Sequence, residues 1–345
     1  MPRIVSLIAS ATEIAASLGQ LENLVGRSHE CDYPPAVGLL PVCTRPRIAI
    51  DADSREIDRQ VRDSARAAVS IYEVFDDVIE RLRPTHILTQ IQCEVCAVSL
   101  RDVEQAIERG MKGQPKIVSL RPDSLADIWE DFRRVARALE IPQQGEHVIA
   151  GLKRRMAGLC PAPHPHRPAP RVACIEWIEP LMAAGNWTPE LIAMAGGVDL
   201  FGESGRHNQV DDAAVARFQA DAYDGCRLAA SRRPAADGPG HSPGVPREMT
   251  FEQLAAADPD VLVIAPCGFD LRRTEQEMHW LTSRPGWSHL RAVRGGRVCL
   301  ADGNQYFNRP GPRVVETLEA LVEMLHPQER PPRLRGEAWR VMMSM

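Results

Sequence analysis

No stretch of this chain approaches the roughly 18 to 20 consecutive apolar residues of a membrane-spanning helix, so a membrane span is not expected. An excess of positive charge is also missing. With 41 Lys and Arg against 46 Asp and Glu, the net charge is -5, which gives no general reason to bind nucleic acid or an anionic membrane. The residue patterns of several enzyme classes are absent too: there is no G-x-S-x-G elbow, no Walker-type phosphate loop and no H-E-x-x-H pair. Carboxylates form no telling pair, for Glu176 and Glu179 at the end of a predicted strand suit a general base and a salt-bridge partner equally. A disulfide framework is excluded by number and length, since nine cysteines, an odd count, are spread over 345 residues.

A signal peptide is imitated rather than present at the N-terminus. Arg3 precedes Ile4-Val5-Ser6-Leu7-Ile8-Ala9-Ser10-Ala11, but Ser6 and Ser10 interrupt the apolar run, and it leads directly into Thr12-Glu13. The segment reads as a strand followed by a helix capped at Thr12. Together with reduced thiols this predicts a cytoplasmic protein, with the periplasm as the alternative.

What the chain does contain is a repeated layout. Arg83-Pro84-Thr85-His86-Ile87-Leu88-Thr89-Gln90 runs into Ile91-Gln92-Cys93-Glu94-Val95-Cys96, and Asp258-Pro259-Asp260-Val261-Leu262-Val263-Ile264-Ala265 runs into Pro266-Cys267-Gly268. Each reads as helix, proline, buried strand, thiol. In an open α/β sheet ligands collect beyond the carboxyl ends of the strands, so the repeat predicts two lobes facing one site. At 345 residues with 44% hydrophobic composition, two domains are expected.

Hydrophobic runs and their punctuation place the elements. Strands are predicted at 3–7, 24–28, 85–90 and 116–120. One helix is expected to carry Val69, Tyr72, Val78 and Leu82, another to span 99–109, and a third to start at Pro122-Asp123-Ser124 and continue through Ile128, Phe132, Val135 and Leu139. These form an N-terminal α/β lobe, 1–122. Residues 123–170 make a bridging helix and a Pro-rich linker, Cys160 to Pro168, where His164 and His166 are read as exposed linker residues. The C-terminal lobe, 171–327, opens with a strand at 171–177. It continues with a helix after Trp187-Thr188-Pro189 that ends at Gly196-Gly197, a helix at 251–257, strands at 261–265 and 296–301, a helix at 273–281, and a closing helix through Val314 to Leu325. It carries an insertion, 204–247, whose Ala, Asp, Arg, Gly and Pro favour disorder, so no chemistry is built on His207 or His241. The tail, 328–345, with Arg330, Arg333, Arg335 and Arg340, reads as a solvated terminus. Cys174 and Cys299 fall inside apolar strands and are assigned to the core.

Three motifs then carry a resemblance: Arg3-Ile4-Val5-Ser6-Leu7-Ile8-Ala9-Ser10-Ala11-Thr12-Glu13-Ile14, the segment Gly185-Asn186-Trp187-Thr188-Pro189-Glu190 through Gly196-Gly197, and Gly296-Arg297-Val298 through Asn308-Arg309-Pro310-Gly311-Pro312-Arg313. In order and spacing the chain resembles the class III solute-binding proteins that serve ABC importers of cobalamin, haem and ferric siderophores, and it looks closest to the cobalamin-binding type. The resemblance implies two Rossmann-like α/β lobes with central sheets, bridged by a long helix, and a cleft between them that holds a flat, bulky ligand such as cobalamin or a related corrinoid without catalysing a reaction. Tyr33, Trp177, Trp187, Phe269, Tyr306 and Phe307 are candidates to pack on a macrocycle, or are lobe-core residues. Asn308 and Arg309 are candidates to hydrogen-bond amides or a phosphate, or to cap the last helix. An importer permease is the implied partner if the chain is exported; a cytosolic carrier is the other possibility. Four thiols that follow predicted strands, Cys31, Cys93, Cys96 and Cys267, open a further alternative: on this scaffold they could converge on zinc or an iron-sulfur cluster.

Overall fold

The computed structural model describes residues 1–67, 69–90, 114–162, 168–202, 247–329 and 331–343. By its contacts the chain divides into two compact units, Met1–Gly151 with Pro310–Pro312, and Leu152–Arg309 with Arg313–Met345.

Unit 1 is built on four parallel strands in the order β2-β1-β5-β6: β1 (Ile4–Ser6), β2 (Leu24–Arg27), β5 (His86–Gln90) and β6 (Lys116–Leu120). The central strands β1 and β5 are buried nearly throughout, as parallel strands covered on both faces must be, while the outer β2 and β6 alternate buried and partly exposed residues. Helix α1 (Ala9–Ser17) follows β1 and ends at Gly19, whose φ of +74° needs a residue without a side chain. It begins three residues before the predicted cap. Thr12 lies one turn inside, where its hydroxyl bonds the Ile8 carbonyl (3.2 Å) and the Cys31 thiol (3.0 Å).

The single helix expected to carry Val69 through Leu82 is three elements. Helix α2 (Ser54–Arg66) starts where Asp53 accepts the Glu56 N–H at 2.9 Å. Strand β4 (Tyr72–Val74) pairs antiparallel with β3 (Thr44–Pro46), and α3 (Asp76–Leu82) follows. The reason is local: α2 is strongly polar and buries only Ser54 and Ile57, whereas Ile71 and Tyr72 join Val5, Leu7, Cys43, Ile79 and Ile87 in one apolar cluster. Helix α4 (Leu125–Ala138) is capped by Ser124 and buries Leu125, Ile128, Trp129, Phe132 and Val135 along one stripe. Helix α5 (Pro142–Leu159) contains the boundary between the units. The predicted helix at 99–109 lies outside the described residues.

Unit 2 holds a larger mixed sheet. Strands β7 (Arg171–Trp177), β11 (Val261–Ile264) and β12 (Val298–Ala301) run parallel at its centre; β8 (Met182–Ala183), β9 (Val198–Asp199) and β10 (Arg247–Glu248) extend the β7 side. Helix α6 (Thr188–Met194) follows β8, and α7 (Phe251–Ala257) opens with a complete capping box between Thr250 and Gln253. The helix expected at 273–281 divides into α8 (Leu271–Glu277), capped by Asp270, and α9 (His279–Thr282); α10 (Arg291–Arg294) precedes β12. Helix α11 (Val314–Leu325) is buried along nearly its whole length. Cys174 and Cys299 lie in this core as expected.

The tail is not a solvated terminus. Strand β13 (Trp339–Val341) pairs antiparallel with β12 and completes the sheet edge, with Leu334, Ala338 and Trp339 buried. Its arginines are engaged: Arg333 pairs with Glu319, Arg340 reaches Glu275 and the Leu271 carbonyl, and Arg335 lies 5.7 Å from the Trp339 ring centre. Arg330 and nearly all of the 204–247 insertion lie outside the described residues.

Candidate functional site

The carboxyl ends of the parallel strands in unit 2 gather most of the candidate residues. Trp177, the last residue of β7, and Phe269, just past β11, stand with ring centres 5.2 Å apart and planes tilted by 48°. Trp177 is half-buried and its indole N–H donates to the Glu179 carbonyl at 3.2 Å; Phe269 is buried, with the Arg273 guanidinium 5.0 Å from its ring centre. The ring separation lies within the range of interacting aromatic pairs, and the guanidinium is within cation–π reach of Phe269. Arg273 was not among the sequence candidates; it stands four residues after Phe269, on the first turn of α8, where the Asp270 cap turns it back toward the ring.

Glu176 precedes Trp177 on β7. Its carboxylate accepts the Gly185 N–H at a long 3.4 Å, and burial pushes its pKa up to about 7. Among the described residues no lysine or arginine pairs with it. Gly185 begins the Gly185-Asn186-Trp187 turn, in which Asn186 holds a left-handed φ of +55°. Cys267, half-exposed, donates its backbone N–H to the Glu176 carbonyl at 3.0 Å.

The other unit 2 candidates hold structure. Trp187 is buried just ahead of α6, and its indole N–H has no partner among the described residues. Tyr306 donates its hydroxyl to Glu337 at 2.8 Å, under the Arg313 guanidinium. Asn308 donates to the Ala265 and Gly303 carbonyls at 2.9 and 3.1 Å, tying the ends of β11 and β12 together, rather than capping the last helix. Arg309 and Phe307 are buried, and Arg309 donates to Asn304 at 3.1 Å.

In unit 1, Tyr33 follows β2 and is 42% exposed. Cys31 is buried, and its sulfur bonds Thr12 and the Ser6 carbonyl. Cys93 and Cys96 lie outside the described residues. Among the described residues no three His, Cys, Asp or Glu side chains are grouped to hold a metal ion, and the two thiols expected to join Cys31 and Cys267 are not among those residues.

His29 sits beside this loop, with Nδ1 2.8 Å from the Thr44 hydroxyl and its ring 5.5 Å from Tyr72. Burial first and the Arg27 charge second lower its pKa to about 4, against about 6.5 in an unfolded chain. The unfolded state therefore binds the extra proton between these values. The stability held by neutral His29 is complete above about pH 6.5 and is lost as pH falls toward 4. Thermal unfolding across this range should show a falling midpoint, part of which His29→Gln removes; equal pH slopes in both proteins would refute the assignment.

Compared by sequence, the chain matches no family model and no curated protein. Compared by structure, it is similar to a periplasmic heme-binding protein from Pseudomonas aeruginosa, at a TM-score of 0.66 and 19% identity over 100% of this chain and 99% of that one. It is also similar to the periplasmic heme-binding protein RhuT from Roseiflexus sp. RS-1 (TM-score 0.58, 22% identity, 94% and 98% covered) and to the periplasmic vitamin B12 binding protein BtuF of Vibrio cholerae (0.57, 16%, 95% and 98%). All three are periplasmic proteins, which speaks against the cytoplasmic location expected from the sequence. No helix among the described residues is long and apolar enough to cross a membrane. In architecture, the chain has the two-lobed α/β fold of the periplasmic solute-binding proteins.

Proposed function

We propose that the protein is a solute-binding component that takes a flat macrocycle, cobalamin or a related corrinoid, and delivers it to the permease of an ABC importer. The observation that carries the reading is the Trp177 and Phe269 pair at the carboxyl ends of β7 and β11, where the half-buried indole offers an apolar face to a planar ligand. Tyr33 supplies a second exposed ring at the carboxyl end of a unit 1 strand. Structural neighbours that bind heme and vitamin B12 support a ligand of this size and shape. The choice of corrinoid over heme rests on the resemblance of the Arg3–Ile14, Gly185–Gly197 and Gly296–Arg313 segments.

Visible spectra of the purified protein, taken after adding cyanocobalamin and again after gel filtration, test the reading. Retained corrinoid absorption is expected, and Trp177→Ala should weaken binding by roughly tenfold or more, the effect of removing one large aromatic face. Corrinoid that washes out completely from the native protein would sink the proposal.

A further inference from the structure

Glu176 is a carboxyl group whose surroundings do not account for it. It is the penultimate residue of β7, directly beside Trp177, and one long hydrogen bond from Gly185 serves a group with about four acceptor positions. The titratable groups nearest in the sheet bring no positive charge: Cys174 lies two residues back on the same strand, and Asp199 lies on neighbouring β9. From β11, Cys267 offers its N–H to the Glu176 backbone and not to the carboxyl. No cation answers the charge among the described residues. Glu176 is half-buried, so this carboxyl stands open at the strand end to donors that a ligand brings.

We infer that Glu176 reads the rim of the ligand: it accepts N–H groups from a primary amide and turns away a carboxylate. The inference rests on the macrocycle-binding reading above and names the chemistry that selects within it. An amide-rimmed ring brings the donors that Glu176 lacks. A carboxylate-rimmed ring brings only acceptors and a like charge, so discrimination comes as much from repulsion as from attraction. Trp177 supplies affinity for any flat ring, and Glu176 decides which rim may approach it.

The test compares two corrinoids with one ring system, dicyanocobinamide, whose rim is amide, and dicyanocobyrinic acid, whose rim is carboxylate. Dissociation constants are measured at pH 8 by absorbance titration for the native protein and for Glu176→Gln. The native protein should prefer the amide ring by roughly tenfold or more, and Glu176→Gln should cut that preference about tenfold, mainly by binding the carboxylate ring better. A role in folding alone would shift both affinities together and leave their ratio unchanged. Should Glu176→Gln melt early, Glu176→Ala must move the ratio in the same direction. Two corrinoids bound by the native protein, with a ratio untouched in both variants, overturns the inference and leaves the binding function standing; no binding of either ring by the native protein overturns both.

Discussion

Glu323→Ala is expected to lower the unfolding free energy of unit 2 by about 3 to 5 kcal/mol and to release the C-terminal segment, the range found when a buried, multiply bonded charge is removed and its partners are left unsatisfied. Glu323 lies on α11 and is 2% exposed. One carboxylate oxygen accepts the Arg333 and Leu334 N–H groups at 2.6 and 3.0 Å; the other accepts the Trp339 indole N–H at 2.7 Å and the Leu334 N–H at 3.2 Å. Alanine strands three donors at once, two of them backbone groups that hold the chain as it turns toward β13. The unit 2 melting midpoint should fall on the order of 10 °C. Trypsin should then cut at Arg333 and Arg335 well before the rest of the unit. Glu323→Gln, which keeps one oxygen in place, should lie between. A midpoint within about 2 °C of the native value, with the tail still protected, would show that β13 stands without this anchor.

The same segment shows why part of the fold could not be read in advance. Arg330, Arg333, Arg335 and Arg340 resemble a solvated tail in composition, and only the positions of Glu319, Glu275 and Trp339 turn three of them into packing residues. Glu319 and Glu275 are distant in sequence from Arg333 and Arg340, so no local pattern records those pairs. Where burial is local the sequence was sufficient: 86–90, 116–120, 171–177 and 261–264 are apolar runs bounded by Pro, Gly or polar residues, and each is a parallel strand. The Ser124 cap and the Ile128, Phe132, Val135 stripe likewise fixed α4. The α2, β4, α3 region was misread because Val69, Tyr72, Val78 and Leu82 fall near a helical period by accident, while Ile71 and Tyr72 are drawn to a core formed by β1 and β5. The repeat of strand and thiol placed the strands at 86–90 and 261–264, while the thiols of its first copy lie outside the described residues. Which side chains at the site serve a ligand was not legible, since Asn308, Arg309 and Tyr306 carry polar tips that the fold spends on Ala265, Asn304 and Glu337.

Gly303→Ala should be the most damaging small change near the site, costing roughly 3 kcal/mol or more, at or beyond the upper end of ordinary overpacking. A Cβ there would stand 1.9 Å from the Pro266 carbonyl oxygen and 2.8 Å from that of Ala265, and both obstacles are backbone. Neither can swing aside, because the Gly303 and Asn304 N–H groups hold the Phe269 carbonyl at 2.9 and 3.1 Å and Asn308 clamps the Ala265 carbonyl. Relief therefore requires the β11 and β12 loops to separate, and that motion carries Phe269 away from Trp177. Gly268→Ala provides the contrast. Its φ is +78° but no atom lies within 4 Å of the added carbon, so it should cost only about 1 kcal/mol of backbone strain and leave the loops in place. Urea unfolding of the two variants, with the change in tryptophan emission that Trp177→Phe abolishes as a second signal, separates the two effects. Equal losses would mean that the loops yield freely, and the close approach of Gly303 to Pro266 would then not be what sets the aromatic pair.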